Sequence, residues 1–254
     1  MDAVSRFSTR PVGIEISGDM PSHFGFGSAT AIRLAALEGA SVIAGQPAAR
    51  ESLVRGSKRG GTSGIGITTY FTGGFVLDLG VKQAPLEILP SSALEGARPD
   101  PLVIMRIDMP DWGVGICIPS GIRALSEVEE IEFFRRACPV PRPDVNETLY
   151  HVIYGLAASA LERDLGTFSQ AIKEIQGCTW KSLERVLHGD RLLALERDIY
   201  EAGAAAVGMS SLGPCLFFLG GDLGRLADSL SEKRPEHLWL TTAICNSSRS
   251  LTAA

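Results

Sequence analysis

The spacing of apolar and polar positions divides the chain into a strand-rich front half and a helix-rich back half. Residues 11–17 (PVGIEIS) alternate, the period-2 signature of a strand with one covered face, and a turn is expected over residues 18–22. Residues 23–30 (HFGFGSAT) run into 31–45 (AIRLAALEGASVIAG), an alanine-rich apolar helix ended by Gly45. Residues 47–57 suggest a second helix. Residues 58–66 (KRGGTSGIG) are too rich in glycine for regular structure at their start. The following ITTYFTGGFVLDLG (67–80) reads as two short strands about a turn at 72–74. Residues 81–101 are proline-rich and loop-like. Residues 102–109 and 113–119 read as a hairpin joined near Pro110 and Asp111.

Residues 126–137 (SEVEEIEFFRRA) form a helix with Ser126 as N-cap, acids in the first turn and bases in the last. Pro139, Pro141 and Pro143 stop it. Further helices are expected at 144–163, 165–176 and 192–202, the last ended by Gly203. A short strand at 204–207, a loop at 208–214 (GMSSLGP), a strand at 215–220 (CLFFLG), a helix at 223–232 and a final strand at 238–244 complete the chain. This order favours an α+β, two-layer architecture over a doubly wound parallel sheet. The expected division is an N-terminal lobe, 1–120, and a C-terminal α+β lobe, 121–254. There are no repeats, heptads or low-complexity stretches.

Composition narrows the function classes. The 254 residues can bury a substantial core, and 45% apolar with 21% charged residues is a globular composition. The net charge is −5, with basic residues scattered among acids, so no nucleic-acid partner is expected. No apolar run reaches the ~18 residues of a membrane span, and residues 1–10 hold no signal-like apolar stretch. A cytoplasmic protein is expected. Cysteines at 117, 138, 178, 215 and 245 are odd in number and far apart, which reads as thiols rather than a metal or disulfide framework.

Two glycine-rich, hydroxyl-rich segments carry the chemistry. In the first, Gly25, Gly27, Ser28, Ala29 and Thr30 stand at a helix start, where free N–H groups and the helix dipole attract an anion. It matches neither the Walker loop nor the Rossmann fingerprint. The second, Arg59-Gly60-Gly61-Thr62-Ser63-Gly64-Ile65-Gly66, adds an arginine able to grip phosphate or carboxylate bidentately. Together they read as a site for a phosphorylated small molecule. His23 could contact phosphate or a carboxylate, or be structural. Asp78 could bind a metal or sit on a strand surface. His151, His188 and His237 lack metal-ligand spacing and read as solvated or packed. Glu127, Glu129, Glu130 and Glu132 read as a solvated helix face, and Trp112, Trp180 and Trp239 as core.

HFGFGSATAIRLAA resembles the second motif of the GHMP kinase superfamily, and GMSSLGPCLFFL its third. RGGTSGIG with GGFVLDLG, the PSS at Pro90, Ser91 and Ser92, DWGVGICIP and EEIEFFRRACPVP most resemble the β-ribofuranosylaminobenzene 5′-phosphate synthases. That resemblance implies a two-layer GHMP-kinase-like fold, and an N-terminal stretch ahead of residues 11–17 that this chain starts without. It also implies a transferase of methanopterin biosynthesis that joins phosphoribosyl diphosphate to an aromatic carboxylate such as 4-aminobenzoate. Related enzymes use a pyrazole dicarboxylate to build C-nucleosides. Carbon dioxide and pyrophosphate leave. The donor diphosphate would lie at Gly25–Thr30, with Mg2+ bridging its oxygens. Arg59, Thr62 and Ser63, with Gly60 and Gly61 beside them and Gly64 after, would hold the 5′-phosphate or the acceptor carboxylate. Ser91 and Ser92 would add hydroxyls, and Ser210, Ser211 and Gly213 would line the opposite wall. A homodimer is also implied.

Two other readings stay open: an ATP-dependent small-molecule kinase, and an inactive ligand-binding homologue. Against the first, GHMP kinases of the acid–base type carry an aspartate in the segment matching residues 62–66. Here the run Thr-Ser-Gly-Ile-Gly has no acid, which forfeits about 10²–10⁴ of general-base help.

Overall fold

A computed structural model describes residues 7–8, 11–18, 21, 23–81, 88–94 and 101–252. Most of the expected turn at 18–22, and much of the loop at 81–101, lie outside the described residues. The chain divides into two units. Unit 1 comprises residues 1–23, 27–106 and 247–254; unit 2 comprises 24–26 and 107–246.

Unit 1 holds helices α1 (Ser28–Ile43), α2 (Arg50–Ser57) and α3 (Ile65–Thr72), and a two-stranded sheet of β1 (Phe75–Asp78) and β2 (Val103–Ile107), whose last residue belongs to unit 2. Its core is Leu34 and Leu37 of α1, Leu53 and Val54 of α2, and Ile67 of α3, with Tyr70 and Phe71 packed against them. Each such side chain, fully buried, contributes about 1.5–3 kcal/mol.

Three expectations fail here. Residues 67–70 are helical, not a strand. Their β-branched residues favour a strand in isolation, but Ile67 and Thr68 bury on the α1–α2 side. The hydroxyls of Thr69 and Thr72 fold back onto the carbonyls of Ile65 (2.8 Å) and Thr68 (2.9 Å), absorbing polarity within the helix. Residues 11–17 form no strand; Ile14 and Ile16 stand 50% and 63% exposed, so their alternation has no covered face. The segments at 102–109 and 113–119 are strands but not a hairpin. β2 pairs with β1, and both edges of β3 (Gly113–Ile118) are taken by other strands.

An ion cluster ties unit 1 together. Glu38 of α1 is buried, and it accepts from Tyr70 Oη (2.8 Å) and Arg249 Nε (2.9 Å). Arg249 Nη2 reaches its other oxygen, and the guanidinium lies over the Tyr70 and Phe71 rings. The hydrogen bond from Arg249 holds the Glu38 carboxyl below the ordinary glutamate value. A depressed folded pKa gives stability that is present above the unfolded value and lost as pH falls through the folded one. Arg249→Met is therefore expected to cost about 2–4 kcal/mol at neutral pH, because it strands a buried charge. Urea titrations should show the gap from wild type narrowing in acid. A gap independent of pH would show that the cluster carries no such linkage.

Unit 2 is built on an antiparallel sheet in the order β4 (Ala206–Met209), β5 (Leu216–Leu219), β3, β6 (Leu238–Ala243). Ile116 pairs with Phe217 on one side and Leu240 on the other. Helices α9 (Asp190–Glu201) and α10 (Leu223–Lys233) cover it, burying Leu192, Ile199, Leu226 and Leu230 against Cys117, Val207, Leu216 and Phe218. None of the five cysteines forms a disulfide. Cys117 and Cys215 are core residues, and burial pushes the Cys215 thiol up to about 12.

Helix α4 (Glu127–Ala137) begins with Ser126 and Glu129 closing a capping box. α5 (Arg142–Tyr150), a π-helical stretch (His151–Ala157) and α6 (Ala158–Glu162) run on continuously. α7 (Leu165–Gly177) follows. Next comes α8 (Thr179–Leu187), a helix the periodicity did not reveal. Trp180 packs edge-on to Phe133 and Phe134, Trp112 lies against Phe168 and Trp239 against Phe218. Among the described residues, no helix is long and apolar enough to cross a membrane.

Candidate functional site

In unit 1 the two glycine-rich segments meet at one hydrogen bond. Gly27, left-handed at φ 67, caps α1 without a side-chain hydrogen bond, and the first turn holds no acid. Thr30 N–H and Ala31 N–H bond back to Gly27 O (2.9 and 3.2 Å). The N–H groups of Ser28 and Ala29 are left at the open end, where the helix dipole favours an anion. Arg59 Nε donates to Thr30 Oγ1 at 2.9 Å. That bond uses a lone pair of the Thr30 hydroxyl, so its hydrogen remains a donor. The guanidinium is thus held at the helix start by a partly buried contact.

The rest of the second segment is braced by its surroundings. Gly60 and Gly61 both adopt positive φ (95° and 96°), a path other residues follow only with strain. Thr62 Oγ1 donates to Leu89 O (2.5 Å), and Thr62 N–H donates to Ser91 Oγ (3.3 Å). The segment from Leu89 to Ser91 is thereby fixed to it. Asp78 accepts the Gly64 N–H (3.1 Å) with one oxygen and the Gly80 N–H (2.8 Å) with the other. Asp78 is thus a backbone brace for this segment. Ser63 is exposed, and its hydroxyl accepts the Ile65 N–H at 3.4 Å. Gly66 starts α3 beside Thr30, which a Cβ there would touch at 3.5 Å.

In unit 2, Gly25 is joined to the turn at residues 210–214. Ser210 Oγ donates to Gly25 O (3.0 Å). A Cβ on Gly25 would lie 2.0 Å from Ser210 O, and one on Gly213 would lie 2.1 Å from the Phe24 carbonyl carbon. These backbones touch because both residues are glycines. The turn closes through Ser210 N–H to Cys215 O (2.9 Å). Lys181 and His188, on or just after α8, reach its carbonyls. Lys181 Nζ donates to Met209 O and Ser211 O (3.2 Å each), and His188 Nε2 lies 2.9 Å from Leu212 O. Burial lowers the His188 pKa; a carbonyl can only accept, so Nε2 carries the hydrogen in this contact.

The sequence reading missed Lys181 because its partners are carbonyls about thirty residues away. His188, which the sequence leaves as solvated or packed, is half-buried against Leu212. A further signal is invisible in sequence: non-glycine residues at positive φ. Among the described residues they are His23 (65°), Lys58 (54°), Arg163 (59°) and Ser211 (53°). Three of these four stand in or next to the segments singled out above. Such strain costs about 1–3 kcal/mol and gathers at functional sites. His23 itself is exposed and makes no hydrogen bond among the described residues.

No family model matches the chain. Among solved structures it is similar to a putative homoserine kinase from Listeria monocytogenes (TM-score 0.59, 18% identity, 91% of this chain and 71% of that one). It is also similar to mevalonate pyrophosphate decarboxylase from Streptococcus pyogenes (TM-score 0.56, 14% identity, 98% and 75%). These likenesses define the fold alone: a GHMP-kinase-like α+β fold.

Sequence likeness is higher elsewhere. The chain is 34% identical, over 215 residues, to beta-ribofuranosylphenol 5′-phosphate synthase from Methanothermobacter thermautotrophicus, covering 84% of this chain and 65% of that protein. It is 32% identical over 249 residues to the protein of that name from Archaeoglobus fulgidus, covering 96% and 77%. The chain belongs to the beta-ribofuranosylphenol 5′-phosphate synthase family. It spans just under two thirds of the first relative's length.

Proposed function

We propose that this chain is a decarboxylating phosphoribosyltransferase that joins phosphoribosyl diphosphate to the ring carbon of an aromatic carboxylate. The observation that carries this reading is the Arg59–Thr30 hydrogen bond. It sets a guanidinium beside an open helix N-terminus, and Asp78, the acid that bonds this segment, is committed to backbone N–H groups. Such an arrangement suits anion binding and leaving-group stabilisation better than abstraction of an alcohol proton.

The chemistry balances without a protein base. The bond from the anomeric carbon to the diphosphate oxygen breaks, and pyrophosphate takes the electron pair. The ring carbon that bears the carboxylate bonds to the anomeric carbon. The bond to the carboxylate carbon then breaks, its electrons restore the aromatic ring, and carbon dioxide leaves. No proton enters or leaves. The protein's tasks are positioning and stabilising charge. The N–H groups of Ser28 and Ala29, and the Ser28 and Thr30 hydroxyls, are assigned to the diphosphate. Arg59 is assigned to the 5′-phosphate or the acceptor carboxylate.

Among the described residues no group of three or more His, Cys, Asp or Glu stands together as a metal set. Magnesium therefore enters this reading as a companion of the diphosphate, neutralising charge on pyrophosphate when bound; no step is assigned to it. The relatives' name specifies a phenol product. A para hydroxyl or amino group pushes electron density onto the carboxylate-bearing carbon, so 4-hydroxybenzoate stands beside 4-aminobenzoate as an acceptor. A pyrazole dicarboxylate is the third.

The test is pyrophosphate and carbon dioxide release from phosphoribosyl diphosphate with each of these acids. Release that depends on the acid supports the reading. ADP formed from ATP with an alcohol would replace it with a kinase, and donor binding without turnover would replace it with a ligand-binding protein.

A further inference from the structure

The two carbonyls that flank Ser210 in the 210–213 turn are held by a single ammonium group. A lysine ammonium has three donors in tetrahedral array. Those of Lys181 meet Glu184 Oε2 (2.6 Å), Met209 O (3.2 Å) and Ser211 O (3.2 Å). The two carbonyls flank Ser210 and converge on one cation, with Ser211 between them and the rest of the turn at φ 53. Glu184 is 3% exposed, and its other oxygen accepts from Trp180 Nε1. The ammonium is therefore paired and its counter-charge is locked in place. Met209 N–H donates in turn to Gln176 Oε1 (3.1 Å), tying the end of β4 to α7.

We propose that Lys181 is a positioning residue for the synthase site: its ammonium fixes the 210–213 turn, and the turn fixes Phe24 and Gly25 of the first glycine-rich segment. The coupling is steric as well as polar. Ser210 holds Gly25 O, and Gly213 lies against Phe24 and Gly25 with no room for a methyl group. A turn displaced by an ångström must move Phe24 and Gly25 with it. The catalytic part of this inference rests on the donor assignment made above; the mechanical part does not.

Three variants separate the two parts. Lys181→Met removes the clamp but strands the buried Glu184. Lys181→Met combined with Glu184→Gln removes clamp and charge together. Lys181→Arg keeps the charge, but a planar fork cannot serve three tetrahedral partners. Hydrogen exchange of a peptide spanning residues 208–216 reads the turn directly. Kinetics with phosphoribosyl diphosphate read its effect on the donor. Exchange in that peptide is expected to rise about tenfold or more in all three variants, while a peptide from the α9 core stays protected. KM for the donor is expected to rise more than kcat falls. Wild-type exchange in the double variant overturns the clamp. Faster exchange with unchanged KM and kcat overturns its role in positioning. Absence of synthase turnover in the wild-type protein counts against the proposed function, and the exchange data still decide whether the clamp exists.

Discussion

An Arg59→Ala variant is expected to lose about 100-fold in kcat/KM for phosphoribosyl diphosphate while remaining folded. Charge-assisted hydrogen bonds are worth about 1.5–3 kcal/mol each, and the substitution removes both the guanidinium and its bond to Thr30. The alanine also frees the Thr30 hydroxyl to turn back into its own helix. Arg59→Lys should recover only part of the loss, since it restores charge without the Nε contact or the bidentate fork. Initial rates of pyrophosphate release, beside a thermal melt, check this. Undiminished kcat/KM in a folded Arg59→Ala protein would remove Arg59 from the site.

Gly25→Ala is expected to be strongly damaging. The methyl group would meet Ser210 O at 2.0 Å, at φ 97. The expected cost is about 3 kcal/mol or more, a fall of roughly 6–12 °C in melting temperature for a domain of this size, with activity lost as the turn is pushed away. Gly27→Ala is the matched control. Gly27 has φ 67 but nothing within 4 Å of its Cβ position, so it carries backbone strain of only about 1–2 kcal/mol. If both variants melt alike, close backbone approach is not what Gly25 provides.

How much of this was legible in the sequence differs by element. α4 was readable to its cap because its signals are local: Ser126, the acids after it and the basic pair before Cys138. α1 was readable for the same reason, its end marked by Gly45 at φ 71. ITTYFT was misread because its β-branched residues state a preference that burial against α1 and α2 overrides. The supposed hairpin failed because pairing is non-local: β3 finds β5 and β6 about a hundred residues or more away. The two glycine-rich segments were legible as composition. That one hydrogen bond joins them was not, since Arg59 and Thr30 lie 29 positions apart. Asp78 was left open between metal ligand and surface residue; its two backbone bonds give it a bracing position that no spacing rule encodes.

The Glu38–Arg249 pair has a consequence for how the chain comes to be folded. Its partners are 211 positions apart, and unit 1 draws residues from both sides of unit 2. Unit 2, by contrast, is almost one continuous stretch. Asn246 closes it through paired hydrogen bonds to the backbone of Met109, at 2.8 and 2.7 Å. On the ribosome, where chains emerge at about 5–20 residues per second, α1 is made many seconds before the arginine that neutralises its buried glutamate. Asn246 and Arg249 leave the exit tunnel within about a second of each other, so both units close only at the end of synthesis, and α1 waits with Glu38 uncompensated until then. Synthesis stalled between α1 and Asn246 would leave both units unclosed, with the Glu38 carboxylate still unpaired, the kind of intermediate that chaperones meet.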